Sequence, residues 1–143
     1  MKPNFGNLVT VFTAALLALV LLPGNARAAE KEKPASATAT HIDAKKAAKL
    51  VADGGVTVLD VRTPGEYSSG HIAGATNIDF LAGDFAEKIR KLDREKTYLV
   101  HCASGGRSTK CLPQLEKAGF KRVLHLDGGF KAWQAAGNPV EKK

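Results

Sequence analysis

Residues 98–108 read Tyr-Leu-Val-His-Cys-Ala-Ser-Gly-Gly-Arg-Ser, and the residues that follow have a helical pattern. The first four form a short, mostly apolar run of the kind that becomes a strand buried on both faces of a parallel sheet. The two glycines predict a turn, after which a helix begins. A strand, a turn and a helix are the repeating unit of α/β domains, whose ligands bind at the carboxyl ends of the strands.

The rest of the chain repeats this alternation. Similar apolar runs lie at residues 56–61 and 123–126. Asp43 is suited to cap a first helix, and Gly54-Gly55 to end it. Helical stripes of small or apolar residues lie between the strands: Ala44, Ala47, Ala48 and Val51; Phe85, Ile89 and Leu92; Cys111, Leu112, Leu115 and Ala118; and a last short helix over residues 130–136. The pattern predicts one α/β domain over residues 41–143, with a parallel sheet of about five strands flanked by helices.

The composition excludes several classes of protein. Of the 143 residues, 44% are hydrophobic and 24% are charged, so the chain is too apolar to be disordered throughout. Two cysteines are too few for a disulfide-rich fold. The net charge is +7, but the basic residues are spread singly and in pairs such as Lys45-Lys46. This charge therefore does not indicate a nucleic-acid partner, and we expect a soluble monomer.

The first residues have the form of a signal peptide. The run from Leu8 to Leu22 is uncharged and almost wholly apolar, with Lys2 before it and Pro23-Gly24 after it. Small residues at Ala26 and Ala28 provide a cleavage site. The alternative is that the run is retained as a membrane anchor helix. A membrane span needs about 20 apolar residues, and the run from Leu8 to Leu22 is shorter than this.

Cleavage after residue 28 would leave an exported protein, periplasmic or secreted, with no stable membrane span. Loss of residues 1–28 removes two basic residues and lowers the net charge from +7 to +5. Residues 29–40 mix Ala, Lys, Glu, Pro, Ser and Thr without a period, which predicts a flexible linker. The predicted organisation is therefore a signal peptide over 1–28, a linker over 29–40 and a folded domain over 41–143.

The turn after the central strand is suited to hold an anion. Gly105 and Gly106 permit backbone conformations in which successive N–H groups converge, and a helix N-terminus adds partial positive charge. Cys102 at the strand end would face these donors and the guanidinium of Arg107. Both effects favour the thiolate, so we expect a lowered pKa and a nucleophilic Cys102.

Three other motifs accompany this turn: DVRTPGEY at residues 60–67, GHIAGATNI at residues 70–78 and DGGFKAW at residues 127–133. Together with the turn they give the chain a resemblance to the rhodanese-like domains, which are sulfurtransferases. The first motif resembles the segment after the family's early strand, the second its most recognisable stretch and the third its closing motif. Four motifs in the family's order across a whole domain are far more specific than a lone Cys-x-x-Gly-x-Arg.

The resemblance implies a covalent sulfur-transfer cycle. Cys102 would take the outer sulfur of a small anionic donor, with thiosulfate as the default, and carry it as a persulfide to cyanide or to a thiol on a small molecule or partner protein. Arg107 would bind the oxyanion part of the donor. The other proposed substrate-binding residues are Ala103, Ser104, Gly105, Gly106 and Ser108. The cycle requires neither a metal nor a cofactor.

Three alternatives remain open from the sequence. Cysteine phosphatases and arsenate reductases separate nucleophile and arginine by five residues, but four separate Cys102 from Arg107, which makes a tighter loop. A sulfur carrier or thiol-binding module would accept persulfide from a partner with little turnover on thiosulfate. A redox module would join Cys102 to Cys111, although Cys111 lies on an apolar helix face where a buried side chain fits.

Several other polar residues are interpreted as structural. His101 should point away from Cys102, because neighbours on a strand face opposite sides. We expect His71 to bond the backbone, Asp60 to accept backbone N–H groups and Arg62 to pair with Glu66.

Two further expectations concern metals and one helix. His41 and His125 have no partner at metal-ligand spacing along the chain, so no metal site is predicted. Pro113 lies inside the helix that follows the loop and should bend or delay it.

Overall fold

The computed structural model describes residues 39–143. The predicted signal peptide and residues 29–38 of the predicted linker lie outside this range. The elements are β1 (Thr40–Ile42), α1 (Ala44–Ala52), β2 (Thr57–Asp60), α2 (Pro64–Ser69), β3 (Thr76–Asn77), α3 (Phe85–Arg90), β4 (Thr97–His101), α4 (Gly106–Lys117), β5 (Arg122–Leu126) and α5 (Gly129–Ala135).

The five strands form one sheet in the order β1-β5-β4-β2-β3, and every pair is parallel. The predicted α/β class and five-stranded parallel sheet are confirmed. β4 occupies the centre, with Asp60 of β2 opposite His101 and Leu124 of β5 opposite Leu99. Because parallel strands end at the same edge, the loops after β2, β4 and β5 meet there.

Helices pack on both faces of the sheet and bury two apolar clusters. The α3/α4 cluster joins these helices to alternate residues of the strands; its members include Leu59, Val100, Cys102, Phe85, Ile89, Cys111 and Leu115. The α1/α5 cluster covers the other face and includes Val58, Leu99, Leu126, Ala47, Phe130 and Trp133. The alternation of Leu99 and Val100 between the two clusters follows from the period of two in a strand.

Helix starts follow the local sequence. The Asp43 side chain accepts a hydrogen bond from the Lys46 backbone N–H at 2.7 Å, which confirms the predicted cap of α1. α2 begins with a capping box, in which Thr63 and Glu66 each accept from the other's backbone N–H. Both interactions satisfy N–H groups that a helix start leaves without an intrahelical partner.

The structure differs from the sequence prediction at several boundaries. Thr40, the last residue of the predicted linker, is the first residue of β1, where it lies opposite Leu124 of β5. Pro113 lies inside α4, as predicted. Ala118, predicted as part of the apolar stripe of this helix, lies just after its end as the C-cap. Between residues 39 and 143, no helix has the length and apolar character that crossing a membrane requires.

Candidate active site

The loop between β4 and α4 encloses the Cys102 sulfur. The Gly105 backbone N–H donates to Cys102 Sγ at 3.1 Å. Gly105 has φ +107°, in the left-handed region, and α4 begins at the next residue. A side chain at Gly105 would oppose this conformation, so the glycine lets the chain turn back over the sulfur. Cys102 itself is 1% exposed and lies at the bottom of the loop.

Ser108, in the first turn of α4, contributes a hydroxyl to the same sulfur. Its Oγ lies 3.5 Å from Cys102 Sγ, 2.9 Å from the Gly105 carbonyl oxygen and 2.8 Å from His125 Nε2. Ser108 is fully buried, so its hydroxyl depends on these neighbours for hydrogen bonds. The structure thus places Ser108, one of the predicted substrate-binding residues, against the Cys102 sulfur.

These contacts favour an ionised thiol. Burial alone raises the pKa of Cys102, because a charge is less stable away from water. Hydrogen-bond donors lower this pKa by more than burial raises it. They are the Ser108 hydroxyl and the backbone N–H groups of Ser108, Ser104 and Gly105. The pKa of Cys102 therefore lies below its ordinary value, as the sequence predicted. Ser104 is exposed and acts on the sulfur through its backbone N–H.

Arg107 lies at the rim of the loop but points to a carboxylate. Its Nη1 donates to Glu66 Oε2 at 2.7 Å and its Nη2 to Glu66 Oε1 at 2.6 Å. The hydrogen bond to Arg107 lowers the pKa of Glu66 to about 2. That same bond raises the pKa of Arg107, and the charge of Cys102 adds to this increase. The guanidinium is therefore close enough to the thiol to interact with it while it is paired with Glu66.

The predicted pair of Arg62 with Glu66 is wrong. Arg62 instead pairs with Asp60, with Nη2 to Oδ2 at 2.6 Å, and both side chains are buried. Two residues apart on an extended chain, the side chains share a face, and this brings them together. The Arg62 backbone N–H also donates to Asp60 at 2.9 Å, so the prediction that Asp60 accepts a backbone N–H is confirmed. Arg62 further lies 4.0 Å from the ring centre of Phe130 and donates to the Gly70 carbonyl.

The start of α5 holds the loop from the other side. Phe130 N–H donates to the Cys102 carbonyl at 2.8 Å, and Lys131 N–H donates to the Ala103 carbonyl at 2.9 Å. Gly129 has φ +59°, and a Cβ there would lie 2.5 Å from the Cys102 carbonyl oxygen. Only glycine permits this approach. Gly129, Phe130 and Lys131 were not among the predicted site residues, although the pair Gly128-Gly129 before a helix is visible in the sequence.

A cavity of about 350 Å³ opens beside the loop. Its lining includes Ala103 of the loop, Glu66 and Ser69 of α2, and Lys131 and Gln134 of α5. The cavity therefore combines an acidic and a basic side chain next to the Cys102 loop. Of the predicted substrate-binding residues, Gly105 and Ser108 are buried, Ala103 and Arg107 are partly buried, and Ser104 and Gly106 are exposed.

The histidines interpreted as structural occupy the expected positions. The ring of His101 stacks on Phe130 of the α1/α5 cluster, whereas Cys102 belongs to the α3/α4 cluster, so the two side chains face opposite sides. Burial lowers the pKa of His101, which keeps the ring neutral. His71 Nδ1 bonds the Tyr67 carbonyl at 2.9 Å, as predicted.

Cys111 is buried in α4 and its thiol donates to the Ser108 carbonyl at 3.0 Å. Burial raises the pKa of Cys111 to about 12, and the nearby charge of Cys102 acts in the same direction. Both cysteines are free. The two thiols therefore have opposite properties within one domain, because Cys102 has donors and Cys111 has apolar neighbours.

Residues 43–136 match the family model of the rhodanese-like domain. The chain belongs to the rhodanese-like family. The rhodanese-like relatives include thiosulfate sulfurtransferase 16, chloroplastic, of Arabidopsis thaliana, with 39% identity over 93 residues, covering 58% of this chain and 78% of that protein. Thiosulfate sulfurtransferase GlpE of Pseudomonas entomophila is 38% identical over 95 residues, covering 66% of this chain and 84% of that protein.

Solved structures with the rhodanese-like fold agree with this assignment. A rhodanese-related protein from Thermoplasma volcanium superimposes with a TM-score of 0.66 at 34% identity, covering 73% of this chain and 99% of that one. A rhodanese-like domain protein from Staphylococcus aureus superimposes with a TM-score of 0.63 at 26% identity, covering 73% and 98%. The predicted family and fold are thereby confirmed.

Proposed function

We propose that this rhodanese-like domain moves sulfane sulfur from thiosulfate or a related anion to cyanide or a thiol through a persulfide on Cys102. The observation that carries the proposal is the set of donors on one sulfur: the Gly105 N–H at 3.1 Å and the Ser108 hydroxyl at 3.5 Å. They stabilise a thiolate, which is the nucleophilic form of cysteine. Relatives named as thiosulfate sulfurtransferases support the same chemistry.

The reaction has two steps with balanced charge. The Cys102 thiolate attacks the outer sulfur of thiosulfate, an S–S bond forms, and the S–S bond of the donor breaks to release sulfite with its electron pair. The Cys102 persulfide then gives its outer sulfur to cyanide, forming thiocyanate, or to an acceptor thiolate, forming a new persulfide. In both cases the Cys102 thiolate returns. This is covalent catalysis with ping-pong kinetics.

The loop is suited to the intermediate as well as to the thiolate. A persulfide is anionic at neutral pH, and the N–H groups that lower the pKa of Cys102 stabilise that charge too. These donors are fixed by the backbone, so they need no rearrangement as charge moves from one sulfur to the next. Arg107 provides a cation at the rim for the oxyanion end of the donor.

Glu66 limits that role of Arg107. Two guanidinium nitrogens already bind its carboxylate, so the pair carries no net charge at neutral pH. An anionic donor therefore meets one guanidinium whose charge is largely balanced. We propose that the donor binds mainly through the backbone of residues 103–108, with Arg107 as a secondary contact.

We also propose that the protein acts outside the cytoplasm, as a monomer. Export is supported by the apolar run from Leu8 to Leu22, which ends at Pro23-Gly24 and is followed by small residues at Ala26 and Ala28, the pattern that a signal peptidase accepts. Mass analysis of protein recovered from the periplasm or the medium would test this, with a chain that begins at Ala29 as the expected result.

The decisive test of the activity is the intact mass of the reduced full chain before and after incubation with thiosulfate. We expect a gain of one sulfur atom, about 32 Da, that cyanide removes. Cys102→Ser should gain nothing. Cys111→Ser is the matched control and should gain the sulfur as the unmodified protein does.

Absence of an adduct on the reduced protein would overturn thiosulfate transfer. In that case an adduct formed only from a protein-borne persulfide would identify a sulfur carrier. A loss of two protons that depends on both cysteines would identify a redox module.

A further inference from the structure

The carboxyl edge of the sheet holds a second cluster of reactive side chains, which the sulfur-transfer proposal does not use. His41 Nδ1 lies 2.6 Å from Asp127 Oδ1, and His125 Nδ1 lies 3.2 Å from the same oxygen. One atom from each of the three side chains lies within 4.8 Å of the others. Two imidazoles and a carboxylate thus converge on one point.

The backbone fixes this arrangement. His41 of β1 and His125 of β5 are directly opposite each other in the parallel register, so their side chains share a face. Their ring centres are 4.7 Å apart. The Asp127 N–H donates to the Ile42 carbonyl at 2.9 Å, which ties the residue after β5 to β1. Two of the three ligating side chains lie on paired strands and the third directly follows β5, so they form a more rigid group than the same side chains on mobile loops.

We propose that His41, His125 and Asp127 form a binding site for a divalent first-row transition metal, with Zn²⁺ as its simplest occupant. Imidazole nitrogen suits Zn²⁺, Co²⁺, Ni²⁺ and Cu²⁺, whereas Mg²⁺ and Ca²⁺ prefer sites made only of oxygen. Two imidazole nitrogens and one carboxylate oxygen are a ligand set of the kind that zinc sites use.

The dimensions suit a metal after a small movement. Ligand atoms about 2.1 Å from a tetrahedral Zn²⁺ are about 3.4 Å from each other. The 3.2 Å between His125 and Asp127 is already close to this value, and His41 has to move outward from 2.6 Å. The side chains of His41 and Asp127 are each 54% exposed, so they can adjust. The same exposure leaves space for water to complete the coordination.

A second hydrogen bond supports the buried ligand. When His125 binds a metal through Nδ1, its neutral ring carries the proton on Nε2, which lies 2.8 Å from Ser108 Oγ. Histidines that bind metals usually donate their other N–H to such a partner, which fixes the tautomer and the ring orientation. The Ser108 hydroxyl then donates to the Gly105 carbonyl or to the Cys102 sulfur. The site therefore lies one side chain away from the nucleophile.

Calorimetric titration of the full chain with ZnCl₂ tests the site, and Co²⁺ absorption in the visible range provides an independent readout of the coordination. Both use Cys102→Ser protein, because a reactive thiolate is itself a ligand for these metals. We expect one ion per chain and shifts in the imidazole NMR signals of His41 and His125.

Three variants in that background decide the assignment. Asp127→Asn and His41→Ala should each weaken the affinity for Zn²⁺ at least tenfold, because each removes one of three ligands. Asp53→Asn, which changes an exposed aspartate outside the cluster, should leave it unchanged. The proposal is overturned if no ion binds below millimolar concentration, or if either Asp127→Asn or His41→Ala binds as the parent does. Neither result bears on sulfur transfer, since the parent lacks the nucleophile.

Discussion

Glu66 and Arg107 lie 41 positions apart in the sequence and form a two-point ion pair, with nitrogen to oxygen distances of 2.7 and 2.6 Å. The same carboxylate accepts the Thr63 N–H at 3.1 Å and the Thr63 hydroxyl at 2.9 Å. One side chain thus caps α2 and holds the arginine at the rim of the Cys102 loop. It also places a negative charge at the rim of the loop, where the anionic donor of the proposed function would approach.

We expect Glu66→Gln to increase activity toward thiosulfate. The glutamine still accepts at the helix cap, but the negative charge is gone and Arg107 is left with a net positive charge. A partly exposed charge is worth about 0.5–1 kcal/mol, so KM for thiosulfate should fall about two- to fivefold. Steady-state kinetics at low and high salt would measure this, with a larger effect at low salt.

Glu87→Gln is the matched control, because Glu87 lies on α3 in an exposed pair with Lys91. It should leave KM unchanged. A rise in KM for Glu66→Gln would show instead that Glu66 positions Arg107 for the donor, and that orientation matters more than charge.

Removal of the Ser108 hydroxyl should raise the pKa of Cys102. The hydroxyl is the strongest of the hydrogen-bond donors that lower this pKa, while burial acts in the opposite direction and would remain. The thiolate exists above the pKa, so Ser108→Ala should move the midpoint of alkylation to higher pH and slow the reaction at pH 7. The rate of iodoacetamide modification against pH measures both. Cys111, with a pKa of about 12, should not react in this range.

Ser104→Ala provides the comparison, since Ser104 acts on the sulfur through its backbone N–H, which the substitution keeps. Its alkylation midpoint should match that of the unmodified protein. Ser108→Ala also removes the 2.8 Å contact of His125 Nε2 and leaves it the longer contact to Thr109 Oγ1 at 3.4 Å, at a cost of about 1 kcal/mol in stability. An unchanged midpoint in Ser108→Ala would mean that the backbone alone sets the thiol pKa.

Local patterns in the sequence predicted the loop around Cys102 and the lowered pKa of its thiol. Eleven consecutive residues contain a strand, a cysteine, two glycines and the start of a helix, in that order. The convergence of N–H groups on Cys102 therefore depends only on residues that are close to it in the sequence. The same holds for the Asp43 cap and for the alternation of residues between the two apolar clusters. In each case the interacting groups are close in sequence, and the geometry of one element fixes them.

Contacts between distant segments could not be predicted in this way. Arg62 had two acidic neighbours, Asp60 and Glu66, and the sequence did not show that Glu66 would turn to Arg107. His41 and His125 lie 84 positions apart and meet because β1 pairs with β5 at the edge of the sheet, which no local pattern indicates. β3 spans two residues and β1 three, too short for a period to be visible.

The buried pair of Asp60 and Arg62 should be essential for stability. Their side chains are 0% and 4% exposed, so Asp60→Asn leaves a guanidinium in the core without its counter-ion. The expected loss in the free energy of unfolding is about 3–5 kcal/mol, measured by urea denaturation. Removal of both charges with Asp60→Asn and Arg62→Met should recover most of this loss.

Asp53→Asn serves as the reference for that measurement, because its pair with Lys49 is exposed and one helical turn apart. It should cost at most about 0.5 kcal/mol. A loss below 1 kcal/mol for Asp60→Asn would show that the Gly70 carbonyl and the Phe130 ring are sufficient to stabilise the Arg62 charge.

Gly129→Ala should reduce activity by displacing the Cys102 loop. Its new Cβ would lie 2.5 Å from the Cys102 carbonyl oxygen and 2.9 Å from the Ala103 carbonyl, so the start of α5 has to move away from the loop. A misplacement of about 1 Å in a catalytic group costs on the order of 100-fold in rate. We therefore expect kcat for sulfur transfer to fall by about that factor while the protein remains folded.

Gly137→Ala separates this effect from backbone strain. Gly137 also has a positive φ, +73°, but a Cβ there has no atom within 4 Å. Both variants force alanine into the left-handed region, which costs about 1 kcal/mol of stability in each. This backbone strain should lower the melting temperature of the two variants to a similar degree. Only Gly129→Ala should lose activity and shift the alkylation midpoint of Cys102. Equal losses of activity in the two variants would mean that general destabilisation, and not the contact between α5 and the loop, controls the position of the nucleophile.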